Sequence, residues 1–304
     1  MNTIFLGITT ELTLLLAVTG ANDGIGLALC KRLVTEKGCF VYMGSRSVER
    51  GTAAMDSLGL KDSMELVQCD VSDDASVAAA AATTKASLEA KGAKLFALVN
   101  NAGIGPMQVA DLPSNVEKFQ GILNVNFTGV KRMSEAFLPL IEPAGGAIVN
   151  CGSGAAPGWC KKQDSETQAF FCNPEVTFEA LEARVQGLID NIPEEGHPMG
   201  GYGTSKAILA SYTMAQAKAY PNLLCCVLSP GFIVTKLTAG WGAKLSPEEG
   251  CVAYLRVLFE PNAVSGYFYG SDGLRSPVTM TRDPGTKEYE GEPEPDINAD
   301  DYNK

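Results

Sequence analysis

Short apolar runs alternate along this chain with longer stretches in which apolar residues return at helical spacing. Thr13 to Val18, Cys39 to Met43, Met64 to Cys69, Leu95 to Val99, Ala147 to Asn150 and Leu223 to Leu228 read as strands. Ile25 to Lys37, Val48 to Leu58, Ala75 to Lys91, Val116 to Ile141 and Tyr202 to Tyr220 read as helices. Alternation of this kind predicts an α/β fold, a doubly wound parallel sheet in three layers with helices on both faces.

Two segments break the rhythm. Gly154 to Gly200 is long and mixed, with one helical pattern at Phe178 to Ile189, and stands between a strand and the helix that begins at Tyr202. Arg282 to Lys304 is rich in Glu, Asp and Pro and reads as a solvated acidic tail. No internal stretch has the Pro/Ser-rich composition of a linker. Residues 1–281 are therefore expected to form one domain, with 154–200 inserted in it and 282–304 as the tail.

Composition narrows the partners. The 304 residues are 45% hydrophobic, enough for one large core, and the net charge of -11 argues against a reader of nucleic-acid phosphates. A small molecule is the expected partner. The nine cysteines include no C-x-x-C pair and several lie in apolar runs, as expected for reduced, buried thiols of a cytoplasmic protein rather than disulfides or a zinc site. His197 is the only histidine, which removes a multi-His metal site, and as a hydrolase base it would need a nucleophile nearby in the fold. No metal is expected. The first eighteen residues are apolar, but Glu11 interrupts them and no Lys or Arg precedes the run, so they do not read as a targeting segment. No run of eighteen apolar residues follows, and no membrane span is expected.

The junction of the first strand and first helix reads Thr19-Gly20-Ala21-Asn22-Asp23-Gly24-Ile25-Gly26. Glycines there let the backbone turn sharply and approach a pyrophosphate, while the helix N-terminus offers donors to it. At the end of the second strand, a carboxylate binds the ribose hydroxyls of NAD, whereas an arginine pairs with the extra phosphate of NADP. This chain has Gly44-Ser45-Arg46 and no acid, which favours NADPH. Asp23 works against that preference by placing negative charge near the phosphate.

Tyr202 and Lys206 stand four apart on a predicted helix, so the ammonium can lie near the phenol and favour its ionised form. A carbonyl attacked by hydride develops negative charge on its oxygen and needs a hydrogen-bond donor and a proton source at one point. Ser153 and Tyr202 can supply these.

In chain order the motifs are the glycine loop, Asp70-Val71, Asn100-Asn101-Ala102-Gly103, Asn126 in NVNFTG, Ser153 in IVNCGSG, Tyr202 with Lys206, and Pro230-Gly231 with Thr235 in SPGFIVT. This series resembles the short-chain dehydrogenase/reductase family over about residues 13 to 277, which implies a Rossmann-type fold. The resemblance implies that Tyr202 is the general acid, Ser153 polarises the carbonyl, Lys206 holds the cofactor ribose and lowers the tyrosine pKa, and Asn126 positions a water in a proton relay. Asn124 lies two residues away, and the match to VNFTG selects Asn126. Many relatives carry Ser-Ser where this chain has Gly152-Ser153, which leaves Ser153. For the cofactor, the resemblance implies contacts from Gly20, Asn22, Gly24, Ile25 and Gly26, from Ser45 and Arg46, and from Asp70 and Val71 near the adenine. Asn101, Ala102 and Gly103 would form the floor. Pro230, Gly231, Val234 and Thr235 would stand at the nicotinamide end with Tyr202 and Lys206. Each motif also has a plainer reading: Asp70 can cap the helix after Ser72, the Asn-Asn-Ala-Gly run can be a tight turn, and Pro230-Gly231 can be a breaker.

Ser153 and Tyr202 are 49 positions apart by subtraction of their numbers, against about thirteen in compact relatives. The extra segment, with TGANDGIG, GSRSVERG and GYFYGSDGLRSP, resembles the carbonyl-reductase branch of the family. In that branch the insertion covers the helical face that other members use to pair subunits, so a monomer is expected. Trp159, Phe170 and Phe171 in the insertion are candidates for one wall of a substrate pocket, and Phe232 to Trp241 for the other. The function this implies is NADPH-dependent reduction of an apolar ketone or aldehyde. An alcohol dehydrogenase running in the oxidative direction and a non-catalytic dinucleotide sensor are the alternatives.

Overall fold

The computed structural model describes residues 13–278 and 284–291. Residues 1–12 and most of the acidic tail lie outside the described residues. The strands are β1 (Leu15–Val18), β2 (Phe40–Ser45), β3 (Met64–Gln68), β4 (Ala97–Asn100), β5 (Ala147–Cys151), β6 (Leu224–Leu228), β7 (Phe268–Tyr269) and β8 (Arg275–Ser276). They form one sheet in the order β3-β2-β1-β4-β5-β6-β7-β8, parallel throughout except for the antiparallel β7–β8 pair. The helices are α1 (Gly24–Lys37), α2 (Val48–Leu58), α3 (Asp74–Lys91), α4 (Asn115–Asn126), α5 (Thr128–Phe137), α6 (Ala155–Cys160), α7 (Ser165–Phe171), α8 (Phe178–Asp190), α9 (Tyr202–Ala219) and α10 (Val252–Phe259).

The central strands are apolar on both faces because helices cover both. Alternate side chains of β1 part accordingly: Leu16 and Val18 pack with Leu29, Leu33, Tyr254 and Leu258 of α1 and α10, while Leu15 and Ala17 pack with Val77, Leu88 and Phe137 of α3 and α5. Strand order reverses between β1 and β4, since the chain winds outward through β2 and β3 and then crosses back. The loops leaving β1 and β4 thus diverge and open a crevice at the sheet's C-terminal edge, the usual ligand position in such sheets.

The single helix expected over Val116 to Ile141 is two helices, broken at Phe127 (φ -124°, ψ -64°). Close packing explains the break. A Cβ on Gly129 would stand 2.9 Å from the Val71 carbonyl oxygen, and Arg132 Nη1 donates to the carbonyls of Asn124 (3.2 Å) and Val71 (3.3 Å).

The insertion has three helices, α6, α7 and α8, where the sequence showed one. Pro157 and Gly158 hid α6, although a proline is tolerated in a helix's first turn. All three pack on α9, and every residue from Thr204 to Gln216 on that helix is buried. Trp159, Phe170 and Phe171 do not line a substrate pocket. Trp159 and Phe170 each set an edge against the Phe171 ring at 5.2 Å and join a core with Phe178, Leu181 and α9, so these aromatics hold the insertion together.

The expected tail also needs correcting over 284–291. Glu288 accepts from the backbone nitrogen of Arg275 at 3.0 Å and from its Nε at 2.9 Å, and Tyr289 N donates to the Arg275 carbonyl. This stretch packs back on β8, whose two residues gave too short a pattern to be read from sequence. Seven of the nine cysteines are buried, and Cys151 and Cys172 are half-buried. Among the described residues no helix is long and apolar enough to cross a membrane.

Candidate active site

The crevice holds a cavity of about 720 Å³ that runs from Arg46, Arg50 and Asp70 at one end to Ser153, Tyr202 and Trp241 at the other. Its floor is where the glycine loop and the loop after β4 interlock. Gly20 has φ +61°, and a Cβ there would stand 2.9 Å from Ala102 Cα; one on Gly26 would meet the Gly20 carbonyl oxygen at 2.4 Å. Only glycine permits that approach. Asn101 Nδ2 donates to the Thr19 carbonyl at 2.9 Å, while Thr19 Oγ1 accepts from the backbone nitrogens of Asn101 and Ala102, both at 3.0 Å. Thr19 was not singled out in the sequence. Its signal is position, a hydroxyl at the last turn of a buried strand beside the loop it must fix.

Gly20, Asn22, Gly24, Ile25, Gly26, Arg46, Asp70, Val71, Asn101, Ala102, Gly103, Pro230, Gly231 and Thr235 all line the cavity, as expected. Ser45 and Val234 do not. Ser45 is buried and donates its hydroxyl to the Ser47 carbonyl at 2.8 Å, which ties down the start of α2; the Val234 side chain is exposed away from the cavity. Asp70 does not cap the helix that follows, whose N-cap is Asp73; its Oδ1 accepts from Ser72 N and Oγ at the turn before it, and its Oδ2 lies 3.9 Å from Arg46 Nε. Arg50 was missed. It stands in the first turn of α2, four residues after Arg46, and both residues line the same cavity.

At the inner end, α9 presents Tyr202 and Lys206 one turn apart on a helix buried on every side. The Tyr202 phenol and the Ser153 side chain both line this end of the cavity, and Ser153 Oγ accepts from Ala155 N at 3.1 Å. Lys206 is 3% exposed and its Nζ donates to the Cys151 carbonyl at 2.7 Å. That ammonium lies 5.8 Å from the centre of the Tyr202 ring. Burial pushes the Tyr202 phenol up to about 12. Burial outweighs the lowering expected from Lys206, whose ammonium is itself lowered by desolvation.

Asn126 stands behind the cavity wall rather than on it. Its Nδ2 donates to the Ile104 carbonyl (2.9 Å) and Ser205 Oγ (3.1 Å), and its Oδ1 accepts from Ile104 N (2.9 Å). A Cβ on Gly103 would stand 3.4 Å from Asn126 Oδ1 and 3.5 Å from Lys206 Nζ, so the two residues flank one glycine. Asn124 instead donates to the Ser72 carbonyl, remote from this point. Gly152 leaves no room for the serine found in many relatives, since a Cβ there would meet Val227 Cγ2 at 2.7 Å. Ser229, also missed, lines the cavity and accepts from Gly154 N at 3.1 Å.

The remaining wall comes from two loops. Phe232, Leu237 and Trp241 line it from the segment after β6, and Met199 from the turn before α9. In that turn Met199 (φ 52°), Gly200 (φ 60°) and Gly201 (φ 85°) are all left-handed. His197 is no hydrolytic base: it sets its ring against Phe119 at 4.5 Å, burial lowers its pKa, and it lies off the cavity.

A doubly wound sheet with a glycine-lined crevice at its switch point defines the Rossmann-type class of dinucleotide-binding proteins. The model of the family described as short chain dehydrogenase matches residues 15–161. Short-chain dehydrogenase/reductase 1 of Saponaria officinalis is 33% identical over 291 residues, covering 83% of this chain and 92% of that protein. Carbonyl reductase [NADPH] 1 of Mus musculus is 32% identical over 248 residues, covering 77% of this chain and 86% of the mouse protein. Among solved structures, salutaridine reductase from Papaver somniferum superposes with a TM-score of 0.72 at 26% identity, covering 84% of this chain and 99% of that one. The chain belongs to the short-chain dehydrogenase/reductase family and, within it, to the carbonyl-reductase-like branch.

Proposed function

We propose that this protein reduces a ketone or aldehyde to an alcohol with NADPH, and that Tyr202 is the proton donor. The carrying observation is the convergence of Ser153 and Tyr202 at the inner end of the cavity, with the Lys206 ammonium 5.8 Å from the centre of the Tyr202 ring. The residues suit a dinucleotide. Side chains at Gly20 and Gly26 would fill the cradle that a pyrophosphate needs, and the α1 N-terminus opens onto it. Arg46 and Arg50 at the far end suit the additional phosphate of NADP. Reduced nicotinamide bound there supplies the hydride.

The protein's own groups handle the oxygen. Ser153 and Tyr202 donate to the carbonyl, and Tyr202 passes its proton to the alkoxide as it forms. A phenol held at about 12 is fully protonated at neutral pH, as a donor in the reductive direction must be. Once the proton has left, the phenolate faces the Lys206 ammonium, which stabilises it in a site largely closed to water. Asn126 acts by position, fixing Ile104 and Ser205 on either side of Gly103; any water in a proton relay would meet its backbone, because its side-chain amide is already engaged. The chain acts as a monomer, since α6, α7 and α8 leave α9 no free face for a second copy.

Initial rates with NADPH, NADH, NADP and NAD, each with a panel of ketones, quinones and aldehydes or their alcohols, test this. Fast NADPH oxidation with a carbonyl supports the reading. Turnover confined to NAD and alcohols would replace it with the oxidative dehydrogenase, and cofactor binding with no turnover of any kind would leave a sensor.

A further inference from the structure

Met199 is the one residue other than glycine with positive φ among the described residues. Left-handed backbone crowds the Cβ of an ordinary side chain, so residues at such turns are normally Gly or Asn. The two residues that follow obey this rule. Gly201 has no alternative, because a Cβ there would meet Phe119 Cδ2 at 2.2 Å. Met199 is under no such packing demand: it is 51% exposed and belongs to none of the three buried apolar clusters. A strained, exposed apolar side chain therefore stands where glycine would be more stable, and strain of this sort gathers where a ligand is gripped.

Its position says what it grips. Met199 lies three residues before Tyr202 and lines the cavity, as do Phe232, Leu237 and Trp241 from the loop after β6. Both walls approach the loop after β4: a Cβ on Gly105 would stand 3.3 Å from Leu237 Cγ, and one on Gly200 3.8 Å from Pro106 Cβ. Between them the polar groups converge at Ser153 and Tyr202. An apolar mouth with one polar point suits a bulky, largely hydrocarbon ketone whose oxygen is its only strong acceptor.

Resting on the carbonyl-reductase reading, we propose that Met199 is a specificity-determining residue, held in a strained turn so that its thioether chain clamps a bulky apolar ketone against Phe232, Leu237 and Trp241. The turn is built to hold it: His197 meets Phe119 edge-on, and Gly201 fits against that same ring. Methionine suits the task because its unbranched chain adapts to irregular apolar surfaces.

The test compares Met199→Asn and Met199→Leu with the unmodified protein, using 1-tetralone as the bulky ketone and propanal as the small carbonyl. Asn accepts left-handed backbone but removes the apolar chain. Met199→Asn should lower the ratio of kcat/KM for 1-tetralone over propanal by about tenfold, and raise Tm by about 2 °C as strain is released. Met199→Leu should keep the ratio within about twofold, an apolar replacement at unchanged strain. An unaltered ratio in Met199→Asn, with both carbonyls still reduced, overturns the clamp and leaves the reductase reading standing. Failure of the unmodified protein to oxidise NADPH with any carbonyl overturns the reading beneath it.

Discussion

The two ends of the cavity solve opposite electrostatic problems. At the inner end Lys206 is 3% exposed, Tyr202 is buried with it, and the ammonium is held by the Cys151 carbonyl. At the outer end the Arg46 side chain is 67% exposed and its carboxylate neighbour Asp70 is 3.9 Å away, while at the glycine loop the exposed side chains of Asp23 and Lys236 pair at 2.5 Å. Buried charges act strongly and ignore salt; exposed ones act weakly and are screened. The inner end should therefore control turnover and the outer end cofactor choice, each with its own response to mutation, pH and salt.

Removal of the proton donor should produce the largest effect. Tyr202→Phe keeps the ring that fills the site but deletes the hydroxyl that lines the cavity with Ser153, and should lower kcat by about 10²- to 10⁴-fold. NADPH affinity, measured by fluorescence titration, should change little. A variant that kept most of its turnover would show that the buried end is not where protons are delivered.

At the exposed end, Arg46→Ala with Arg50→Ala should weaken NADPH by about 10- to 100-fold, as two charge-assisted contacts are lost, while NADH changes by less than about twofold. Equal losses for both cofactors would mean that these residues meet the adenosine and not the additional phosphate. The kcat at saturating NADPH should stay close to that of the unmodified protein.

The two ends should also separate by pH. Burial raises the Tyr202 phenol to about 12, so its donor form is complete below that value and kcat for reduction should be flat from about pH 6 to 9, with no loss from Tyr202 deprotonation. A phosphate monoester carries its second charge only above its pKa near 6. KM for NADPH should rise as the pH falls through about 6, and KM for NADH should not. A kcat that dropped between pH 7 and 9 would place the working pKa of the donor far below that of the buried phenol.

The sequence displayed these ends unequally. The sheet was legible because buried parallel strands are continuous apolar runs, and the glycine loop because only glycine fits its backbone. Tyr202, Lys206 and Ser153 were legible because they carry spacing and order. Thr19 and Ser229 were not, since a single hydroxyl that binds backbone nitrogen gives no periodic signal. Arg50 and Lys236 were missed because a surface cation gains its meaning only from the fold that aims it. The insertion misled for a different reason. Its aromatics are spaced as helix faces, and sequence cannot tell a face turned to a ligand from one turned to α9. Asn126 was found by motif, but its side chain serves the loop at Ile104.

The smallest effect bears on the one residue that opposed the cofactor assignment. Asp23 caps α1 by accepting from Gly24 N at 2.8 Å, so its carboxylate occupies the helix end that attracts anions. Lys236, on the loop that also carries Leu237, pairs with its other oxygen and offsets the unfavourable charge. Because both side chains are exposed, the pair is worth less than about 1 kcal/mol. Asp23→Asn keeps a capping side chain and releases Lys236 toward the phosphates, so NADPH should bind about threefold more tightly at low salt. Lys236→Ala leaves the carboxylate uncompensated and should weaken NADPH by about the same factor. Both changes should shrink as ionic strength rises past about 0.15 M, where screening acts within about 8 Å. Titration of NADPH fluorescence at two salt concentrations measures all of this. Opposite signs in the two variants, both damped by salt, would make Lys236 the counter-charge that reconciles Asp23 with NADPH; matching signs would mean the pair matters for loop position and not for charge.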